Sequence, residues 1–550
     1  LARDAHLLSA GERVVVARLR CAPAPAQALY ARLLARRPGV FWLDTLDYPE
    51  LPDVRAAADT LEALGLAWRF DRTASPAALA EACTGTVLRE ACRTLGRPVS
   101  GRRVGLVARC SDAAAAAMLR RPALRLRHRG LVRALLRVAL LDGRGSLDRL
   151  VLARLGHTHP ARYHPTGGTG LFPDRASWHR YEAGLRLRQL PCPPEPAPLF
   201  TWLEQTPLPP PWRRRVSGRR HAEAVLFDVL RAAESGRPPD EAAADWRRML
   251  DARLATPGPV VSRLALALER AGQPDAAARL CERWLPTLPP AAARTLAATA
   301  RRVGRRSGRG HRPLKPLRRA PVRRISLAPG AQDARRPRYR VGARDCFVEA
   351  AVVAWLATHG RLALHGESSP WSTLFGVLFR DALFAPVPGM LPGPMLRAPL
   401  DLGTPGFRAR RRAAIEARLA LIRCGRAPAL VAQVVTQRGC EDIRGVHWRG
   451  FPPGVLLGLA RLVPGPALAA IMEAFVDDWR GARRGLPDLI VLPGRAIRLD
   501  GARPGRLAAG LLLAEVKGPG DALRPAQRVW IDRLLDAGVP TEVWEVRPSP

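Results

Sequence analysis

The sequence predicts a multidomain α+β protein, mostly helical in its amino-terminal and middle regions and closing on an α/β domain. Three observations carry this expectation. The chain has 550 residues, which exceeds one ordinary domain and suffices for three or four, each with its own core. Apolar residues recur at helical spacing through most of the stretch up to residue 304. In the last third the pattern changes: two continuous apolar runs, LIVLP (489–493) and GLLLAEVK (510–517), precede a helix and a further strand.

The formal net charge is +40, from 88 Lys and Arg against 48 Asp and Glu, and 47% of the residues are hydrophobic. That apolar fraction excludes a globally disordered chain. So large a positive excess implies a polyanionic partner, nucleic acid first, because such a field recruits phosphates and resists compaction. A GC-rich genome explains the choice of Arg over Lys but not the excess over acids. Only Lys315 and Lys517 are lysines. No uncharged apolar run reaches the roughly 18 residues of a membrane span, so no membrane partner is expected. Arg3, Asp4, Glu12, Arg13, Arg18 and Arg20 make the start unlike a signal peptide. The nine cysteines are odd in number and contain no C-x-x-C, which supports neither a zinc site nor a disulfide framework. The expected compartment is a reducing cytoplasm, with the protein associated with the nucleoid.

Taken in order, residues 1–75 read as a small module with a helix near APAQALYARLLARR (24–37), then helix and strand in VRAAADTLEALGLAWRF (54–70). It is either winged-helix-like or a plain connecting module. Within 76–160, LAEACTGTVLREACRTLGRPVSGRRVGLVARC (79–110) holds two amphipathic helices around a turn, with Leu88, Ala91, Cys92 and Leu95, then Val104, Leu106 and Val107, on their apolar faces. This looks like the SAP helix–turn–helix fold, whose helix amino end and arginines meet duplex phosphates; simple helical packing is the competing reading. Residues 161–304 stay helical, and the recurring helices from about 240 resemble a TPR-like solenoid able to hold repair-protein partners. Residues 301–344 carry 15 Arg, Lys315 and the single acid Asp333. This basic segment, 305–344, is expected as a linker or phosphate-tracking strip.

The chemistry lies in 345–550. Asp488 precedes the first strand in GLPD, and Glu515 sits in the second, in EVK. Strand alternation puts Glu515 and Lys517 on one face with Val516 pointing away. Two carboxylates and an ammonium so arranged suit a metal-dependent phosphodiesterase. Acids hold hard divalent cations, the cation activates water, and lysine orients or deprotonates that water or stabilises charge. A sequence that almost always writes Arg writes Lys here, where a compact ammonium of adjustable pKa differs from a guanidinium.

The PD…EVK pattern resembles the P-D-(D/E)-x-K nuclease superfamily. With LHGESSPWSTLFGVLF (364–379), PLDLGTPGFRARRRAAIEARLALI (399–422), RRGLPDLIVL (483–492) and AEVKGPGDALRPAQRVWIDRLLDAGVPTEVWEV (514–546), it is similar to the VRR-Nuc domain of the Fanconi-anaemia-associated nuclease family in its bacterial form. The resemblance implies a restriction-endonuclease-like α/β fold for 345–550. It implies metal-binding carboxylates at Glu367, Asp488 and Glu515, a carbonyl ligand at Val516, the catalytic Lys517, and a supporting Gln527, with Mg2+ or Mn2+ as cofactor. Glu349 is a rival acid for the place of Glu367. The arginines at 408, 410, 411 and 412 either bind phosphate or form a solvated helix face. Between Asp488 and Glu515 lie 27 positions of sequence separation, more than the family's usual hairpin, and PGRAIRLDGARPGRLAAG is expected to form an enlarged turn that preserves strand pairing. The implied activity is a structure-selective DNA nuclease of the phosphodiesterase I type. It would cut branched or 5′-flap DNA, digest 5′ to 3′, and act in interstrand cross-link repair. The alternatives are a non-catalytic DNA-binding repair scaffold and a Holliday-junction or restriction-type endonuclease.

Overall fold

In a computed structural model, the described residues are 2–36, 40–69, 75–119, 122–141, 147, 150–151, 153, 159–166, 170–191, 194–254, 256–309, 314–330, 337–492 and 511–549. The chain divides into two compact units, Leu1–Thr158 with Thr169–Trp178, and His159–Gly168 with His179–Pro550.

In the first unit, α1 (Ala10–Cys21) opens on a capping box in which Ser9 and Glu12 satisfy each other's backbone amides. Helices α2 (Ala24–Ala35) and α3 (Val54–Ala63) bury Leu29, Leu33 and Leu61 against a small sheet. That sheet has the order β1 (Phe41–Trp42), β3 (Ala123–Leu126), β2 (Ala67–Arg69), all antiparallel. Between the neighbouring strands β2 and β3 the chain runs through four short helices, α4 (Pro76–Ala82), α5 (Gly85–Thr94), α6 (Arg103–Arg109) and α7 (Ala113–Leu119). Their own core holds Leu88, Cys92, Leu106 and Cys110. Leu88, Ala91 and Cys92 are buried on α5 as expected and Leu95 is half-buried just beyond it, whereas Val104, expected inward on α6, is 80% exposed. Helix α8 (Arg129–Leu140) follows β3.

The second unit begins with β4 (His159–Pro160) and continues through α9, which runs over Arg175–Leu187 and enters this unit at His179, α10 (Pro196–Gln205) and α11 (Gly218–Ala233). An added Cβ at Gly184 would sit 2.7 Å from the Gly218 carbonyl oxygen, so the close approach of α9 to α11 requires glycine. Helices α12 (Pro239–Asp251), α13 (Gly258–Arg270), α14 (Pro274–Trp284) and α15 (Pro290–Arg306) then pack in succession around Trp246, Leu264, Cys281 and Leu296. Prolines at the first turns start each of them, where the missing N–H costs nothing.

The α/β part is a seven-stranded sheet. In chain order its strands are β5 (Val322–Pro329), β6 (Tyr339–Val341), β7 (Arg344–Cys346), β8 (Leu362–His365), β10 (Leu489–Leu492), β11 (Leu512–Lys517) and β12 (Thr541–Pro548). They lie side by side as β7-β6-β5-β12-β11-β10-β8, and β9 (Glu441–Asp442) pairs with β4 outside this sheet. Strand β12 is parallel to both β5 and β11, and the remaining pairs are antiparallel. Strands β5 and β6 fall within 305–344, the segment read as a basic linker. There Ile325 and Leu327 are buried in the sheet core, Arg324 on the opposite face meets Glu545 (3.6 Å), and Arg323, exposed near the strand's start, meets Glu542 (2.8 Å) of β12. Alternation in VRRISLAP, masked by the arginine count, is the physical reason. Helix α16 (Val348–Thr358) packs on the sheet. Helices α17 (Ser369–Leu378), α18 (Arg412–Arg423), α19 (Ala427–Arg438), α20 (Pro453–Leu462) and α21 (Gly465–Asp477) surround Phe375 and Phe475. Helix α22 (Pro525–Asp536) buries Trp530, Ile531 and Leu534 and ends before Gly538 at φ +75°. Pairing of β10 with β11 is intact, as expected; the connection 493–510 lies outside the described residues. No single helix among the described residues is long and apolar enough to cross a membrane.

Candidate active site and nucleic-acid interface

The register of the sheet places the acids. Leu489 opposes Ala514 across β10 and β11, so the next step sets Asp488 opposite Glu515. Leu489 also opposes His365 of β8, and the Gly366 amide donates to the Asp488 carbonyl at 2.7 Å. Glu367 therefore leaves the sheet immediately beside Asp488. An added Cβ on Gly366 would meet Ile490, Leu489 and Pro487 within 3.0 Å, which explains the glycine of HGES.

Glu515 is 0% exposed. Its Oε1 accepts from the Lys517 ammonium at 2.8 Å and from the Gln527 amide, and its Oε2 is buried without a hydrogen-bond partner. Gln527 also accepts the Arg524 amide at 2.9 Å through its own oxygen, so one side chain caps α22 and braces the carboxylate. Asp488 accepts the Val516 amide at 2.9 Å. Burial, then the facing charge of Asp488, pushes the Glu515 carboxyl up to about 7. Burial likewise raises Asp488, against the Val516 amide and Lys517; Glu349 and Glu367 both add to the rise. The structure thus joins Asp488, Glu515, Val516, Lys517 and Gln527 by direct contacts. Glu367 and Glu349 approach closely enough to be felt electrostatically, so the rival acid shares the neighbourhood. Among the described residues no group of three His, Cys, Asp or Glu side chains is drawn together as a metal-ligating set.

Of the four arginines read as phosphate ligands or solvated face, three are ion-paired. Arg408 bonds Glu416, Glu473 and Asp477, and Arg410 and Arg411 share Asp401. They brace the helices. A different basic cluster escaped the sequence reading. Arg220 is pushed down to about 10 by enclosure in the fold, then by Arg480 and Arg188. Arg480 and Arg444 are also lowered, enclosure again first, although both keep solvent access. Guanidiniums grouped closely enough to repel one another form a basic cluster suited to anions. The legible signal was Arg480, Arg483 and Arg484 immediately before LPD, only partly matched by the adjacent Asp477 and Asp478.

Two family descriptions match this sequence: the VRR-NUC domain over 427–548 and the FAN1 HTH domain over 1–68. The chain is a strong match to the Fanconi-associated nuclease family. Relatives include the Fanconi-associated nuclease 1 homolog of Arabidopsis thaliana, 33% identical over 214 residues, and Fanconi-associated nuclease 1 of Homo sapiens, 32% identical over 207. The matched stretches cover 38% and 36% of this chain but only 23% and 19% of those longer proteins. Over the whole chain, a crystal structure of paFAN1 bound to DNA with a 2-nt 5′ flap and a gap is similar at TM-score 0.77 and 27% identity. That likeness covers 100% of this chain and 96% of paFAN1. The same protein with a 1-nt flap gives 0.74 and 26%. The multidomain α+β architecture, helical first and α/β last, matches that of paFAN1.

Proposed function

We propose that the chain is a divalent-metal-dependent, structure-selective DNA nuclease of the phosphodiesterase I type, cutting branched or 5′-flap DNA in interstrand cross-link repair. The observation that carries this reading is the buried Glu515, braced by Lys517 and Gln527 and set opposite Asp488 at the end of the sheet. The donor set fits Mg2+ or Mn2+. Its oxygens are hard, the Glu515 Oε2 is buried without a hydrogen-bond partner, and the pair is held against its own repulsion. Asp488, Glu515 and Glu367, with the Val516 carbonyl, would hold the cation, which would supply Lewis acidity to water and phosphate.

The chain's own groups do the rest. Lys517, held by Glu515 on the same strand face, orients the attacking water and stabilises charge on the phosphate. Gln527 fixes the carboxylate rotamer. The cluster of Arg220, Arg444 and Arg480 takes backbone phosphates, which position DNA without reading its sequence. A cytoplasmic, nucleoid-associated location and partner binding through the helical repeats complete the reading, as does the division at 75, 160 and 304, with strands of 305–344 joined to the last domain's sheet.

A labelled 5′-flap duplex with Mg2+ or Mn2+ tests it. Asp488→Ala and Lys517→Ala should each slow cleavage by at least about a hundredfold, with flaps preferred over four-way junctions. Cleavage at wild-type rate by both variants would remove this site from the reaction.

A further inference from the structure

The outward face of the small sheet in the first unit is half covered. Strand alternation and register put Trp42, Ala123, Arg125, Arg127 and Trp68 on that face, since Trp42 opposes Ala123 and Trp68 opposes Arg125. Trp42 and Ala123 are buried in the core of the inserted helices α4–α7. Beyond them the cover ends, and the Trp68 indole is 46% exposed. Its two outward neighbours are both cationic, with the Arg125 and Arg127 guanidiniums each 5.6 Å from its ring centroid. That distance is near the outer limit of a cation–π contact, so the guanidiniums border the ring rather than lie flat on it.

Among the described residues, no ion pair joins either arginine to a carboxylate. The next residue is different: Arg69 is held by Asp59 and Glu62 on α3. Arg18 reaches the same corner, bonding the Leu64 carbonyl at 3.3 Å. An exposed indole bordered by uncompensated guanidiniums has the composition of a stacking platform for bases, with cations for the flanking phosphates.

We propose that Trp68, with Arg125 and Arg127, forms a binding site for unpaired DNA bases. This rests on the DNA reading above and adds to it a contact with single-stranded DNA. The indole stacks on a base, which is tolerant of sequence because every base has a π-face. Arg125 and Arg127 take the adjacent phosphates, and paired bases inside a duplex are not offered to the ring.

The test is fluorescence anisotropy of the full chain in EDTA, with labelled oligo-dT, a blunt duplex of equal length, and an oligonucleotide whose sugars carry no bases. Trp68→Ala should weaken oligo-dT binding by about tenfold, leave the duplex within about twofold, and leave the baseless strand unchanged. Trp68→Phe should restore most of the loss and Trp68→Leu should not. Unaltered melting of each variant would confirm that the fold is kept. The proposal is overturned if Trp68→Ala binds oligo-dT like wild type, if Leu rescues as well as Phe, or if the duplex or the baseless strand loses as much. Wild type failing on all three probes would instead sink the DNA reading itself.

Discussion

Glu515 and His221 are driven in opposite directions by their surroundings, and the consequence is a pH profile. The Glu515 carboxyl rises from 4.5 to about 7, so its folded form holds a proton the unfolded chain releases. The associated stability is full below pH 4.5 and is lost as pH climbs to about 7. His221 falls from 6.5 to about 4, through burial and then Arg188 and Arg220. Its stability is full above 6.5 and is lost as pH falls towards 4. Each shift, at about 1.4 kcal/mol per unit, is worth at most about 3 to 4 kcal/mol. In metal-free protein, Glu515→Gln should raise the melting temperature at pH 8 and not at pH 4, whereas His221→Asn should help at pH 4.5 and not at pH 8. Thermal scans across this range decide it; parallel wild-type and variant curves would contradict the assignments. The acids and lysine of the site were legible because strand alternation and a two-lysine census act on adjacent letters. The supporting Gln527 and the rival Glu349 came from the family resemblance, whereas the cluster of Arg220, Arg444 and Arg480 joins chain segments far apart in sequence that no local pattern encodes.

At the scale of elements, the loop before β10 and the start of α22 are locked together. Gly485 sits at φ +86°, and an added Cβ would lie 2.6 Å from the Ala526 carbonyl carbon and 2.7 Å from the Gln527 nitrogen. Gly485→Ala should therefore shift the helix that carries the brace on Glu515. We expect a loss of about 1–3 kcal/mol in stability and at least about a tenfold fall in flap cleavage. Gly538, at φ +75° with open space around its missing Cβ, ends the same helix. Gly538→Ala should cost about 1 kcal/mol and leave cleavage intact, so equal activity losses in the two variants would refute the mechanical link. Periodicity made the helices and the β10–β11–α22–β12 order readable. It hid the strands β5 and β6, because charge dominates the composition of 301–344 while only Ile325 and Leu327 of β5 mark the inward face.

For the whole molecule, the net charge of +40 sets the expected salt response. DNA binding should be at least about a hundredfold weaker at 200 mM than at 50 mM salt, and Arg480→Gln should lower the log–log slope by about one. A flat response would separate the charge from nucleic-acid binding. Chain order and spatial order also diverge at this scale. Arg69, the last residue of β2, opposes Leu124, the second residue of β3. The whole excursion through α4–α7 thus leaves and re-enters the sheet at adjacent points, as a hairpin turn would. Topologically it is an insertion: a two-residue turn joining β2 to β3 is expected to keep their pairing and to leave the sheet's outward face bare. The helices inside could lengthen, shrink or be exchanged without re-threading the protein around them.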